Sequence, residues 1–270
     1  MDKKNRLYLP DGLEGFRIDI EKTVKPYVQI TAEKGVTKIY QSKFGGYPYL
    51  PKTMEYPKDV NGKPMKLLAQ MNFEEIPQLE LMPEKGILQF YISAEDDVLG
   101  MEFEDLTNPK NFRILYHQHT TNEEALLITD FSNLDSLDTE FFPIENDLSL
   151  TFDIDYEPVS LVDFRCYELL DDSVNRYQQI DEDNDIEIWD VYDSYYGEGH
   201  KIGGYPYFTQ SDPREYETQL QEHTILLLQI DTDDDAGIMW GDSGVANFFI
   251  RKDDLERLDF SNVLYNWDCH

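Results

Sequence analysis

The chain has 270 residues, of which 40% are hydrophobic and 13% aromatic, so it carries too many large apolar side chains for a disordered protein. Its 23 Lys and Arg against 55 Asp and Glu give a formal net charge of −32, which repels phosphates and argues against direct binding to nucleic acid or to an anionic membrane. The same charge favours a basic protein partner, although negative charge also serves solubility alone.

No segment has the pattern of an export signal or of a membrane span. Met1–Arg6 leads into no apolar run of signal-peptide length, and the apolar run Ile225–Leu228 is broken at once by Gln229. The two cysteines, Cys166 and Cys269, are too few for a disulfide framework and are typical of reduced thiols. We therefore expect a cytoplasmic protein.

In chain order, the pattern first predicts a helix over residues 11–25, capped by Asp11 and ended by Pro26. Apolar runs then predict strands at 37–42, 66–73, 86–93, 112–118 and 148–154. A second helix is predicted from Ser160 to about Gln179, followed by an acidic linker over residues 181–190.

One unusual phrase occurs twice, as "KFGGYPYL" at 43–50 and "KIGGYPYF" at 201–208. Gly45 and Gly203 are 158 positions apart, and the stretch beginning at Leu67 matches that beginning at Leu226 with an offset of 159. Matches at nearly constant spacing indicate an internal repeat. We therefore predict an α+β fold with two similar sheet-rich halves related by a pseudo-two-fold, whose copies cover about 37–93 and 195–251 of a single domain spanning 1–270.

The repeated pentapeptide predicts a corner followed by a stiff segment. Two glycines permit backbone angles that other residues resist, and proline restricts both its own φ and the conformation of the tyrosine before it. The tyrosines then either cover a sheet edge or core, or form the aromatic wall of a groove. The same local phrase at both places favours the first interpretation.

The combination of "SKFGGYPYLP" and "LLAQMNFEEIP" with the later "KIGGYPYFTQ" and "IMWGDSGVANFFI" resembles the YwqG-like family of bacterial proteins. The resemblance covers roughly residues 35–270. It implies an α+β domain of unknown function with no assigned catalytic residues, and it suggests a role as an immunity protein in a bacterial toxin system.

The segment "DTDDDAGIMWGDSG" at 231–244 resembles a calcium loop in part. Asp231, Asp233 and Asp235 fall at alternate positions, as oxygen ligands in such a loop do. However, the turn glycine is displaced to Gly237 and Asp242 stands where a bidentate glutamate is needed. We therefore expect no specific calcium binding.

The same segment contains Gly241-Asp-Ser-Gly244, which spells the serine motif of chymotrypsin-like proteases. A serine nucleophile needs an oriented base, and the sequence indicates none for Ser243. A polar turn between two strands is the alternative interpretation. His117 and His119 are spaced to face one side of a strand, but no third metal ligand can be nominated. We predict no catalytic residue, no metal site and no cofactor.

Function is expected where the two copies differ most, at 231–244. We predict a protein-binding module that presents carboxylates and aromatic rings to a basic partner; the alternative is a hydrolase with a cleft near Trp240–Gly244. Trp240 should then be partly exposed and lie beside Tyr205 or Tyr207. The predicted partner-binding residues are Trp240, Asp242, Ser243, Tyr205, Tyr207, Asp233 and Asp235.

Overall fold

The structure is a computed structural model that describes residues 7–10, 12–93, 97–134, 137, 140–170, 179–181, 186–192 and 195–270. The strands within these residues are β1 (Lys25–Lys34), β2 (Lys43–Phe44), β3 (Lys66–Asn72), β4 (Ile87–Ile92), β5 (Phe112–His117), β6 (Leu148–Glu157), β7 (Gln179–Asp181), β8 (Ile186–Glu187), β9 (Lys201–Gly203), β10 (Ile225–Asp231), β11 (Val245–Ile250) and β12 (Leu264–Asp268). The α-helices are α1 (Arg17–Lys22), α2 (Cys166–Leu170), α3 (Ile188–Tyr192), α4 (Pro213–Tyr216) and α5 (Lys252–Glu256). Short 3-10 segments lie at Glu14–Phe16, Glu124–Leu126 and Thr218–Leu220.

The fold is mostly β, and the predicted α+β fold of two similar halves is wrong. In the part of the chain that the structure describes, ten strands form one antiparallel sheet in the order β12-β11-β10-β9-β1-β6-β2-β3-β4-β5, and β7 pairs with β8. The sheet is continuous because β1 and β6 pair along their whole length at its centre, from Lys25 opposite Glu157 to Lys34 opposite Leu148. The helices of the described residues are short, at four to six residues each; α1 precedes β1 and the others lie between strands.

The sheet curls so strongly that its two ends face each other. Phe90 of β4 and Phe248 of β11 have ring centroids 4.9 Å apart, and Phe112 of β5 lies 5.4 Å from Tyr265 of β12. The main hydrophobic core lies on the inner face of this half-barrel. Smaller clusters cover the outer face of β3 and β4, and the side chains of β10 and β11 are also buried on both faces. This is why those strands read as unbroken apolar runs.

Both glycine pairs lie at corners, as their sequence predicts. Gly45 and Gly46 have φ of 68° each, and Gly203 and Gly204 have φ of 75° and 69°, angles that favour glycine. The chain after each pair is anchored by a buried glutamine. Tyr49 N–H donates to Gln70 Oε1 (2.7 Å), and Tyr207 N–H donates to Gln229 Oε1 (2.8 Å).

Several predicted boundaries moved. Of the helix predicted over residues 11–25, the α-helical part is α1, because the chain enters β1 at Lys25. Asp11, the predicted cap of that helix, lies outside the described residues. Residues 37–42 form turns rather than a strand. Of the helix predicted from Ser160 to about Gln179, the described residues contain only α2, and residues 171–178 lie outside the description. The linker predicted over residues 181–190 contains β8 and the start of α3. No helix in the described part of the chain is long and apolar enough to cross a membrane.

Candidate functional site

The residues predicted to bind a partner do not form one surface. Trp240 is fully buried, so its expected exposure is wrong, and its ring packs against Trp267 at 6.1 Å. The chain returns to the core at this point: the neighbouring Ile238 is also fully buried, and Thr232 Oγ1 accepts the Trp240 N–H at 3.2 Å. Tyr205 is buried elsewhere, with its hydroxyl donating to Thr23 O at 2.5 Å.

Asp242 and Ser243 are exposed on a tight turn between β10 and β11, which confirms the turn interpretation. Gly244 N–H donates to Trp240 O at 2.8 Å, and Ser243 has a φ of 56°. A Cβ on Gly244 would lie 2.0 Å from Asp268 O, so the final glycine of the motif is required by close packing. No hydrogen bond among the described residues joins Ser243 Oγ to a histidine, so the serine has no activating base in this structure.

Two carboxylates of the acidic loop, those of Asp231 and Asp233, hold the loop and the neighbouring segment 199–200. Asp231 accepts the N–H groups of Gly199 (2.7 Å) and Thr232 (2.9 Å), and burial raises the pKa of its carboxyl. Asp233 accepts the Ala236 N–H at 3.0 Å and lies 3.5 Å from His200 Nε2. Within the described ranges, no group of three or more His, Cys, Asp or Glu side chains is placed to hold a metal ion. Asp235 is exposed, as is its neighbour Asp234.

The candidate site that the structure favours is a groove of about 660 Å³ along the edge of β5. One wall is β5 itself, and the other is the segment 257–261 that follows α5. β5 is the last strand of the sheet, and within the described residues it pairs with β4 alone. An edge strand of this kind has a row of backbone groups available to another chain.

The register shows which backbone groups face the groove. Ser93 N–H donates to Asn111 O at 2.8 Å, just beyond the first pair of the β4–β5 ladder. Because hydrogen-bonded and non-hydrogen-bonded pairs alternate in an antiparallel ladder, residues 113, 115 and 117 also bond to β4. The N–H and C=O groups of Phe112, Ile114 and Tyr116 therefore point away from the sheet, and no described residue is hydrogen bonded to them.

The other end of the sheet is covered. On β12, Tyr265 N–H donates to Leu106 O at 2.9 Å, and Trp267 N–H points to Met101 Sδ at 3.5 Å. The side chains of the same two residues are held as well, with Trp267 Nε1–H donating to Val98 O and Tyr265 Oη–H to Leu99 O. The segment 98–106 thus occupies the position that a further strand would take beside β12.

The groove has apolar walls on its inner side. The ring of Tyr116 meets that of Phe260 at 5.1 Å, and the Tyr116 hydroxyl donates to Lys85 O at 2.8 Å. In the opposite wall, the backbone turns at Leu258, which has a φ of 56°. Ile114 is 8% exposed, so its side chain belongs to the core although its backbone faces the groove.

Two guanidinium groups line the groove, and their surroundings differ. Arg257 is bound to Asp254, with Nη2 2.6 Å from Oδ1. Arg113, in the middle of β5, is half-buried and has no carboxylate partner among the described residues. Asp259, the acidic residue of the opposite wall, accepts the Ser261 N–H at 3.0 Å.

A buried polar cluster holds β5 from behind. His117 Nε2 lies 2.8 Å from Gln89 Oε1, and burial lowers the pKa of His117 from 6.5 to about 4. The ring is therefore neutral at pH 7, and the acceptor oxygen of Gln89 requires Nε2 to be the donor. Gln89 Nε2 in turn donates to Gln70 Oε1 (2.8 Å) and to Tyr49 O (2.7 Å). The spacing of His117 and His119 does not bring the two rings to one surface, because His117 makes this bond in the interior while His119 lies exposed beyond the strand.

The strand at 112–118 was predicted, but its place at the edge of the sheet was not. A strand's local sequence does not tell which neighbours it has, because the strand order depends on pairings far apart in the chain. The one local signal is Arg113, since a charged residue inside an apolar strand is typical of an exposed edge.

A family profile described as "Domain of unknown function (DUF1963)" matches residues 42–269, which include β5 and both walls of the groove. No curated protein matches the chain. The profile covers well over half of the sequence, and the chain therefore belongs to the DUF1963 family.

Proposed function

We propose that the chain is a protein-binding module of the bacterial cytoplasm, and that it receives an extended segment of its partner as an added strand along β5. The observation that carries this proposal is the row of outward-facing backbone groups at Phe112, Ile114 and Tyr116 above a groove. Strand addition supplies main-chain hydrogen bonds for affinity and side-chain pockets on alternate positions for specificity.

The partner is a protein of net basic charge. A chain of net charge −32 attracts such a partner over a long range and raises its association rate. Asp242 and the exposed Asp234 and Asp235 would contribute to this attraction. A second copy of this chain fits the groove less well, because two bodies of charge −32 repel each other as their edges approach.

Within the DUF1963 family, we place the chain in the YwqG-like group. The support is the pair of Gly-Gly-Tyr-Pro-Tyr phrases together with "LLAQMNFEEIP" and "IMWGDSGVANFFI". Both glycine pairs have the positive φ that makes these phrases necessary at corners, so the motifs describe the scaffold of the group rather than its site.

The test uses random phage-displayed peptides of about twelve residues, twice the length of β5, selected against the full chain at about 0.15 M salt. Each selected peptide is then synthesised with N-methyl groups on every second amide, in both phases. Methylation of the amides that face β5 should abolish binding, whereas methylation of the other phase should leave it, because only one phase donates to the added ladder. Amide exchange at Phe112, Ile114 and Tyr116, followed by NMR, should slow when the peptide binds.

The proposal is overturned if no peptide is selected, or if both methylation phases bind equally. It is also overturned if the exchange of the three amides slows with protein concentration alone, since that result would show two copies pairing through β5. Binding should weaken between low and high salt for peptides rich in Lys and Arg, as expected for attraction to an acidic protein.

A further inference from the structure

We infer that the groove recognises an acidic residue of the incoming segment through Arg113, an inference that rests on the proposed function. In a chain with 55 acidic residues, Arg113 is half-buried, lines the groove and has no carboxylate partner among the described residues. A guanidinium is a rigid fork of donors that matches the two oxygens of a carboxylate. The structure therefore assigns a carboxylate as the group that completes this site.

The register places that carboxylate close to Arg113. Residues 112, 114 and 116 would form the hydrogen-bonded pairs with an added strand, because residues 113 and 115 are bonded to β4. The residue opposite Arg113 is then in a non-hydrogen-bonded pair, where Cβ atoms lie about 4.5–5.5 Å apart. An Asp or Glu side chain reaches the guanidinium over this distance.

The neighbouring positions select apolar side chains. Leu115 lies on the same face as Arg113 and packs against a buried cluster, so the residue two positions from the acid should be apolar. On the other face, Phe112, Ile114 and Tyr116 line the groove opposite Leu258 and Phe260. The preferred ligand is thus a strand-forming segment with one acidic residue among alternating apolar residues.

A single acidic residue does not conflict with a basic partner. The field of the whole chain acts on the partner's net charge, whereas Arg113 acts only on the residue paired with it. Any further acidic residue in the segment would be repelled by the chain's net charge of −32, with no guanidinium beside it to offset the repulsion. The acid therefore determines the register of the added strand rather than the overall attraction.

The probe is a set of synthetic peptides of about ten residues with alternating Thr and Val and Lys at both ends. One central Val is replaced by Glu, Gln or Lys, so that the residues two positions away remain apolar, and binding to the full chain is measured by fluorescence anisotropy. The Glu peptide should bind about tenfold more tightly than the Gln peptide, as expected for one charge-assisted pair. Arg113→Gln should remove this preference, and Arg113→Glu should transfer it to the Lys peptide.

Arg257→Gln is the matched control, because that guanidinium lines the same groove but is bound to Asp254. It should leave the preference for Glu unchanged. Equal binding of the Glu and Gln peptides, with Ile114 amide exchange slowed by both, would overturn the role of Arg113 and leave the proposed function standing. Failure of all three peptides to slow that exchange would contradict the proposed function itself.

Discussion

The two edges of the sheet are treated differently. At β12, the outward N–H groups of Tyr265 and Trp267 meet the segment 98–106, and both side chains are hydrogen bonded to it as well. At β5, the outward groups of Ile114 and its neighbours face a groove of about 660 Å³. The segment 98–106, which covers the edge at β12, comes shortly before β5 in the chain. The chain therefore covers one edge of the sheet and then forms the strand at the open edge.

This difference supports the proposal that the open edge receives a partner. Natural sheets cover, charge or bend their edges to prevent pairing with other chains. Here the chain covers one edge fully but places only a single cation, Arg113, on the other. A charged residue discourages non-specific pairing, yet it also permits a partner that supplies the opposite charge.

The largest effect should come from displacing the cover of β12. Gly100 has a φ of 78°, and a Cβ there would lie 2.2 Å from Asn111 O. Gly100→Ala should lower the free energy of unfolding by about 4 kcal/mol, because both the backbone angle and the contact are unfavourable. Gly62→Ala is the control, since Gly62 has a φ of 79° but nothing within 4 Å, and should cost about 1 kcal/mol. If the two substitutions lowered the free energy of urea unfolding equally, the segment that covers β12 would not depend on the close contact between Gly100 and Asn111 O.

A smaller effect concerns the support behind β5. The pKa of His117 falls from 6.5 to about 4 on folding, so the unfolded chain binds more protons between these pH values. Stability from this residue is present above pH 6.5 and is lost as the pH falls toward 4, by about 3 kcal/mol in total. His117→Gln keeps a donor for Gln89 and removes the titration. Urea unfolding of both proteins across this range should show a steeper acid loss in the unmodified chain, and parallel curves would refute the assignment.

The smallest expected effect is the loss of a single side-chain hydrogen bond at the covered edge, compared with a substitution at the open edge. Trp267→Phe retains a ring against Trp240 but loses the bond from Nε1 to Val98 O, which measures 2.8 Å. It should lower the free energy of unfolding by about 1 kcal/mol. Arg113→Gln on the open edge should change it by less than about 0.5 kcal/mol, as is usual for a side chain with no structural partner. A larger loss for Arg113→Gln would show that this residue stabilises the fold.

Much of the sheet could be predicted from local patterns. The strands at 66–73, 86–93 and 112–118 were recognised because their residues are apolar and bounded by turn residues, and each is present as β3, β4 or β5. The sequence does not predict β1, although Val28 and Ile30 alternate with exposed residues, because Pro26 indicates the end of a helix as readily as a position near the start of a strand.

The site could not be predicted in the same way. Trp240 follows a run of aspartates, which suggested an exposed position, but Asp231 and Asp233 are bonded to amides within or next to their own loop and do not keep the tryptophan at the surface. The open edge of β5 depends on which strand ends the sheet. That order follows from the long pairing of β1 with β6, whose residues are more than 100 positions apart.

The most direct test of the open edge is amide hydrogen exchange of the unbound chain, followed by NMR. Ile114 and Tyr116 amides should exchange at least about a hundredfold faster than those of Tyr265 and of the ladder-bonded Leu115, because only the first two face the groove without a partner. Protection of Ile114 and Tyr116 equal to that of Leu115 would show that the edge of β5 is closed in solution, and would contradict the account.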